Sequence, residues 1–433
     1  MSQYKAYPAY KDSGVEWIGQ VPEEWLNRKV FHAFQTIGSG TTPPSKEHEW
    51  YQGGTIPWIT TSELRENTVV ETKKCVTSEA MQKFSALKIF PAGSLAIAMY
   101  GATIGRLGLL GIPATTNQAC CVLSGERDLN IQFLFYWLMA SRAAIAALFS
   151  EGGGQPNINQ EVIASLWVPS PEPDEQATIA ATLDRETSRI DALIQKKTRF
   201  IELLKEKRQA LITHAVTKGL DPNVKMKDSG VEWIGQVPEH WEVARIKRLA
   251  SLRNERRNDA PTNTTYIGLE DVEAGSGRYR PTNGSSRQSE NSTVGIFYDG
   301  DVLYGKLRPY LRKAIVSEMA GCCSTEFLIL RAKKIEPKWL QEWLLTPDVT
   351  HQIESGCEGA KMPRADWWHI GSIEAVYPDQ YEQAQILATL DRQTARIDAL
   401  IGKAEHSITL LKERRSAFIT AAVTGQIDLR GEQ

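Results

Sequence analysis

The chain has 433 residues, 42% of them hydrophobic and 24% charged, with a formal net charge of -2 at pH 7. This is ordinary globular composition: it excludes a disordered or collagen-like chain and supplies apolar mass for two or three cores. A pI near 6.4 excludes a uniformly basic nucleic-acid binder, so any phosphate-binding face has to be local. The opening MSQYKAYPAYKDSG lacks the basic start and apolar middle of a secretory signal, and no run approaches the roughly 18 to 20 apolar residues of a membrane span. A cytoplasmic protein is expected. Cys75, Cys120, Cys121, Cys322, Cys323 and Cys357 include no C-x-x-C pair, and the histidines form no H-E-x-x-H, so reduced structural thiols and no protein-held metal are expected.

In chain order, the first landmark is KDSGVEWIGQVPEEW (11–25), which returns at 227–241 with one change, Glu24 against His240. The offset is 216 residues, and Trp17, Ile18 and Trp25, with their copies Trp233, Ile234 and Trp241, read as packing residues. A repeat of this kind changes every later assignment. The following segment contains PAGSLAIAMYGATIG, an apolar strand before Tyr100-Gly101, with Arg106 just beyond it, and then TTNQACCVL. Its polar candidates are Thr115, Thr116, Asn117 and Gln118, followed by Gln155, Asn157 and Asn159 after the triple glycine 152–154.

The next block, EQATIAATLDRETSRIDALIQKKTRFIELLKEKRQALITHAVTKGLD (175–221), matches 382–428 without a gap at an offset of 207. Leu183, Ile190, Leu204 and Leu211 fall on one seven-residue series flanked by Leu193, Ile194 and Ile201. Leu390, Ile397, Leu411 and Phe418 repeat it, flanked by Leu400, Ile401 and Ile408. Neither block has an internal proline, so each predicts a rod of roughly 35 to 40 residues, about 55 Å long. An apolar stripe of that length needs a partner, and the other copy is the nearest one, which predicts antiparallel pairing about a pseudo-two-fold axis. The competing reading packs each helix only on its own globular segment. Asp184, Arg185, Arg189 and Asp191 recur as Asp391, Arg392, Arg396 and Asp398, at spacings that suit surface ion pairs or subunit contacts.

The second globular segment is richer in charge. RIKRLASLRNERR (245–257) holds six basic residues, Arg256 among them, against Glu255; KLRPYLRK (306–313) holds Lys306, Arg308, Arg312 and Lys313 against none. YDGDVLYGKLRP sets Tyr304-Gly305 over Tyr100-Gly101, and GCCSTEF sets its cysteine pair over QACC. GAKMPR (359–364) lies over GGGQPN at the 207 offset, placing Arg364 over Asn157 and Lys361 near Gln155. Amides suit adenine and guanidinium or ammonium groups suit guanine or phosphate, so such exchanges could alter base preference. Ordinary turns and a solvated surface explain the same residues without DNA.

Catalysis is argued by absence. There is no Gly-rich nucleotide loop ending in Gly-Lys-Ser/Thr, no Asn/Asp-Pro-Pro-aromatic methylase loop, and PDVTHQIES (347–355) lacks the lysine that would complete a nuclease core.

The doubled SGVEWIGQVPE-x-W, the doubled EQ-x-x-I-x-x-x-LD-x-x-T-x-RIDALI helix, and IGSGTTP, IPWIT, TNQ, GDVLYGKLRPYL and CSTEF together resemble the specificity subunit of type I restriction-modification systems over nearly the whole chain. The resemblance implies a mixed α/β fold. Two target recognition domains, within 1–174 and 222–381, would be separated and joined by antiparallel coiled-coil helices in 175–221 and 382–433. It implies a non-catalytic chain that reads a split target in double-stranded DNA, one half per domain, while the helices set the gap and dock two modification (methyltransferase) subunits. Restriction subunits would join them. S-adenosylmethionine, ATP and Mg2+ would act on those partners. The candidate DNA contacts are Arg106, Thr116, Asn117, Gln118, Gln155, Asn157, Arg256, Lys306, Arg308, Arg312, Lys361 and Arg364. Two other classes remain open at this point: a coiled-coil scaffold with two ligand-binding domains, and an enzyme with an unrecognised site at the glycine loop.

Overall fold

A computed structural model describes residues 4–150, 157–258, 264–281, 293–357, 359 and 361–431. Two long helices, Pro173–Lys218 and Gln380–Val423, contain 46 and 44 residues. At 1.5 Å per residue they are about 69 and 66 Å long, beyond the length expected from the matched blocks. The first begins with proline at its opening position and carries Asp174 and Glu175 in its first turn, where the missing donor is harmless and the carboxylates meet the positive helix end.

The chain divides into two compact units, residues 1–196 with 406–433, and residues 197–405. The division cuts both long helices, whereas the sequence boundaries keep each helix whole. In unit 1, Ile179 and Leu183 from the start of the first long helix share a core with Phe418, Ile419, Ala422 and Val423 from the end of the second. In unit 2, Ile212, Ala215 and Val216 from the end of the first share a core with Ile386, Leu387 and Leu390 from the start of the second. Start meets end in each unit, which is antiparallel pairing. Ion pairs repeat it: Arg415 reaches Asp191 at 3.0 Å in unit 1, and Arg208 reaches Asp398 at 3.5 Å in unit 2. Arginines and aspartates alike are separated by 207 residues, so one contact is made twice with the helices exchanged, as in an isologous interface.

Of the expected pairing residues, Leu183, Ile190, Leu204, Leu390, Ile397 and Phe418 are buried, and Leu211 and Leu411 are half-buried. The stripe is narrower than its flanks suggested, because Leu193 and Leu400 are 47% and 46% exposed.

Each leading motif is clasped to a long helix. The Trp25 indole N–H donates to Glu175 Oε1 at 3.0 Å, and Trp241 does the same to Glu382 Oε1 at 3.1 Å. The neighbouring glutamines are fully buried and bind backbone on both sides. Gln176 accepts from Asn130 N–H (2.7 Å) and donates to Pro171 O (2.8 Å), while Gln383 accepts from Glu336 N–H (2.9 Å) and donates to Pro378 O (2.8 Å). The doubled Trp and the doubled Glu-Gln are thus two ends of one fastening. The one residue that differs between the motif copies has a different neighbour in each: Glu24 pairs with Arg430, and His240 lies against Glu382.

Unit 1 holds a five-stranded sheet in the order Phe34–Ser39, Cys120–Glu126, Leu95–Ala98, Leu107–Leu110, Asn67–Val69, with a three-stranded sheet beside it in sequence. Unit 2 holds two four-stranded sheets, one ordered Ala250–Arg253, Phe327–Ala332, Asp301–Gly305, Ala314–Val316. The equivalent pairings stay at the 207 offset: Ile97 opposes Leu107 and Ala98 opposes Cys120 in unit 1, as Tyr304 opposes Ala314 and Gly305 opposes Phe327 in unit 2. Tyr304 therefore corresponds to Ile97 and not to Tyr100. Cys322-Cys323 corresponds to Thr115-Thr116, each pair lying parallel to its neighbouring strand, and not to Cys120-Cys121. The Tyr-Gly and Cys-Cys likenesses are corrected accordingly, since local identity there runs out of register with the backbone ladder. Burial pushes the Cys120 and Cys121 thiols up to about 12, which keeps them protonated and inert.

Ile131–Phe149 is long and apolar enough, by length and composition, to cross a membrane, contrary to the reading that no run approaches that length. Its Phe133, Leu134, Tyr136 and Trp137 are buried in the unit 1 core beside Trp25, which accounts for its composition.

Replacing Glu382 with alanine leaves the fully buried Trp241 N–H without its partner and should lower stability by about 1 to 3 kcal/mol in denaturant melts. Glu175→Ala should lower it further, because Glu175 also accepts from the Tyr7 hydroxyl at 2.5 Å. Unchanged midpoints in both variants would remove the clasp from this account.

Candidate nucleic-acid interface

In unit 2 the hairpin loop 306–313 joins strands Asp301–Gly305 and Ala314–Val316 and contains a single 3-10 turn, Pro309–Leu311. Its flank is laced to two other segments: Lys306 N–H donates to Glu326 O at 2.9 Å, Ala365 N–H to Lys306 O at 2.8 Å, and Arg308 N–H to Pro363 O at 2.8 Å. Lys306, Arg308 and Arg364 are thereby brought into one ledge, with Arg312 and Lys361 further along the same two segments. Arg308 and Lys361 are exposed, while Lys306 and Arg312 are half-buried. Arg364 is exposed but occupied, forking onto Glu326 at 3.2 and 3.1 Å, and that hydrogen-bonded carboxylate raises its already high pKa.

Unit 1 builds the same ledge 207 residues earlier. Met99 N–H donates to Ala119 O at 2.8 Å, Ile158 N–H donates to Met99 O at 2.9 Å, and Tyr100 bridges Asn157. The side chains differ: Tyr100 is 44% exposed, Arg106 and Asn157 are half-buried, and the adjoining Gln118 is exposed and accepts from the Thr42 hydroxyl at 2.6 Å. One frame thus carries an amide-rich surface with a single half-buried cation, Arg106, in unit 1 and a more strongly cationic one in unit 2.

The other candidates stand apart from a reading surface. Thr116 is fully buried, and its Oγ1 accepts from the Gly40 N–H at 3.1 Å. The two backbones approach so closely that a Cβ at Gly40 would lie 1.8 Å from Thr116 O, so Thr116 seals the interior instead of facing a ligand. Asn117 Oδ1 is buried with no hydrogen-bond partner among the described residues. Arg256 is exposed, but on the edge strand Arg256–Arg257 of the second sheet and not on the ledge. In the same basic run, Arg253 is committed to the buried Asp301 by two bonds of 2.7 and 3.0 Å. Gln155 and the glycines at 152–154 lie outside the described residues. Sequence reasoning passed over Tyr100 and Tyr310, which is 50% exposed; an aromatic inside a polar or cationic loop was the available signal. Among the described residues no group of three or more His, Cys, Asp or Glu could hold a metal ion.

Residues 22–203 match the family model described as the type I restriction modification DNA specificity domain. That segment is matched as a DNA specificity domain, and beyond it the chain is similar to specificity subunits of type I restriction-modification systems. It is 22% identical to the type I restriction enzyme EcoDI specificity subunit of Escherichia coli over 69% of this chain and 70% of that one. It is 28% identical to the MjaIX specificity subunit of Methanocaldococcus jannaschii over 58% of this chain and 56% of that one. Two solved structures share the fold across 94% of this chain. One comes from work on complex assembly and conformational transition of the type I R-M system (TM-score 0.70, 15% identity, 99% of that chain covered). The other is the HsdS subunit of Thermoanaerobacter tengcongensis (TM-score 0.52, 16% identity, 98% covered). These similarities support a DNA sequence-specificity role for the chain.

Thr116→Val should lower stability by about 1 kcal/mol through loss of the acceptor for Gly40, and should leave the recognised sequence unaltered. Melting curves and target mapping check both parts, and a changed target would mean that Thr116 takes part in reading.

Proposed function

We propose that each unit reads one half of a split target in double-stranded DNA, with the ledge as the reading surface. The observation that supports this is the repeated frame: the same hydrogen-bonded loop junction, 207 residues apart, carries Tyr100, Gln118 and Asn157 in one unit and Lys306, Arg308, Arg312 and Lys361 in the other. Amides pair with adenine edges, and guanidinium groups pair with guanine or phosphate, so the two surfaces suit different half-sites. Arg106 and Arg364 belong to the same proposed surfaces. Helices of about 69 and 66 Å exceed one DNA turn of roughly 34 Å, and we assign them the unread gap between the half-sites.

Two modification (methyltransferase) subunits and the restriction subunits are the proposed protein partners, with S-adenosylmethionine, ATP and Mg2+ bound by them. Exposed leucines on the helices favour two equivalent docking patches. Leu193 and Leu400 are 47% and 46% exposed, and Leu203 and Leu410 are 47% and 50% exposed; each pair is related by 207 residues. Each unit therefore shows solvent one such leucine from either helix.

Co-expression with the modification subunit, followed by mapping of methylated adenines across the host genome, tests the reading. The expected result is a split motif of fixed gap that appears only with this chain; an assembled complex without chain-dependent methylation would overturn it. Leu193→Glu combined with Leu410→Glu should leave the free chain folded and reduce the bound modification subunits from two to one by native mass measurement. Full occupancy in that variant would place docking elsewhere.

A further inference from the structure

The two ledge loops share an unusual backbone. In unit 1, Gly101 and Gly105 have φ of 62° and 69°, in the left-handed region, and Ile104 N–H closes the turn onto Gly101 O at 3.1 Å. In unit 2 the corresponding positions are Arg308 and Arg312, with φ of 53° and 47°, and Leu311 N–H closes onto Arg308 O at 2.9 Å. The offset is 207 at every one of these positions. Glycine adopts this conformation freely, whereas a residue with a Cβ is strained there, and only Glu66 among the other described non-glycine residues has a positive φ. Unit 1 demonstrates that glycine satisfies the backbone at both places. Two arginines at those places therefore hold a strain that the turn itself does not require, and strain of this kind gathers where side chains serve a ligand.

The side chains are also uncommitted. Neither Arg308 nor Arg312 makes a side-chain hydrogen bond or ion pair among the described residues, whereas Arg253 and Arg364 in the same unit are both paired with carboxylates. Arg308 is exposed. Arg312 lies beside Gly275, whose added Cβ would come within 3.3 Å of its guanidinium, and Gly275 N–H donates to Arg312 O at 2.9 Å. The exposed Tyr310 stands between them.

We propose that Arg308 and Arg312 are direct DNA contacts of unit 2, held at the two left-handed positions of the loop so that their guanidinium groups meet acceptors of the duplex. This rests on the proposed reading of the ledge and names the residues that carry it in one half-site. A guanidinium fork matches both a guanine edge and a phosphate, and the consequences differ. A base contact relaxes preference at one base pair, whereas a phosphate contact weakens all sequences alike and makes affinity less sensitive to salt.

The test uses the full chain assembled with its modification subunits and the duplex found by methylation mapping. Arg308→Gly and Arg312→Gly relieve the backbone and remove the side chain; Arg308→Asn and Arg312→Asn, with a residue that tolerates this region, provide a second pair. The expected result is a Tm equal to or above that of the parent, with affinity for the target lowered about tenfold by each glycine variant. Relaxed preference at a single position of the second half-site identifies a base contact, and a uniform loss with a shallower salt dependence identifies a phosphate contact. Folded glycine and asparagine variants that bind within twofold of the parent would overturn this inference. A parent complex that binds no specific duplex would instead overturn the proposed function.

Discussion

An amphipathic helix of 46 residues cannot leave its apolar stripe in water, and the rest of this fold depends on what covers it. Two like helices in one chain solve the problem by running antiparallel. Within each unit the paired helix segments are completed by a globular segment whose Trp is fastened to the first turn of one helix: Trp25 to Glu175, Trp241 to Glu382. Because both helices contribute to both cores, unit 1 joins two separate stretches of sequence and unit 2 is the stretch between them. The duplication of the leading motif and of the helix is a single requirement expressed twice, since a motif copy without a helix start would leave a buried indole donor unpaired.

This explains which features were legible in the sequence. The gapless match of the helices at an offset of 207, and of the leading motif at 216, was visible because the stripe, the Glu-Gln and the Trp are constrained side chain by side chain. Within the globular segments the constraint passes from side chains to backbone hydrogen bonds. The 207 register persists from strand to strand there while identity disappears, and Tyr304-Gly305 and Cys322-Cys323 drew the alignment out of step. Any apolar residue fills those strand positions, so identity at them carries no register information. Polar residues misled in the opposite way. Thr116 and Arg253 read as surface chemistry, yet one supports the close approach of Gly40 and the other neutralises a buried Asp301. A sequence shows the polarity of a side chain and not the partner that has already claimed it.

The left-handed positions of the two loops add a kind of information that neither composition nor periodicity holds. Gly101 and Gly105 are mute in a sequence, since glycine occurs for many reasons, and Arg308 and Arg312 read only as positive charge. Superposed by register, they define one loop geometry with two occupants. The frame is then common property, and the difference between the units lies in side chains mounted on it. Such a division lets the exposed chemistry vary without disturbing the hydrogen bonds that hold the ledge.

The same division bears on electrostatics. A chain with a formal charge of -2 cannot attract DNA as a whole, so attraction must come from where its cations are left unpaired. On the ledges that condition is met unevenly: unit 2 presents Arg308 and Lys361 to solvent, whereas unit 1 presents Tyr100 and Gln118. In the proposed reading, unit 2 carries most of the salt-sensitive attraction and unit 1 contributes chiefly through hydrogen bonds that require the matching base edges. Two readers carried on one chain can tolerate that inequality, because an encounter held by one raises the effective concentration of the other at its own half-site. Sequence discrimination can then reside in a unit that has little affinity of its own.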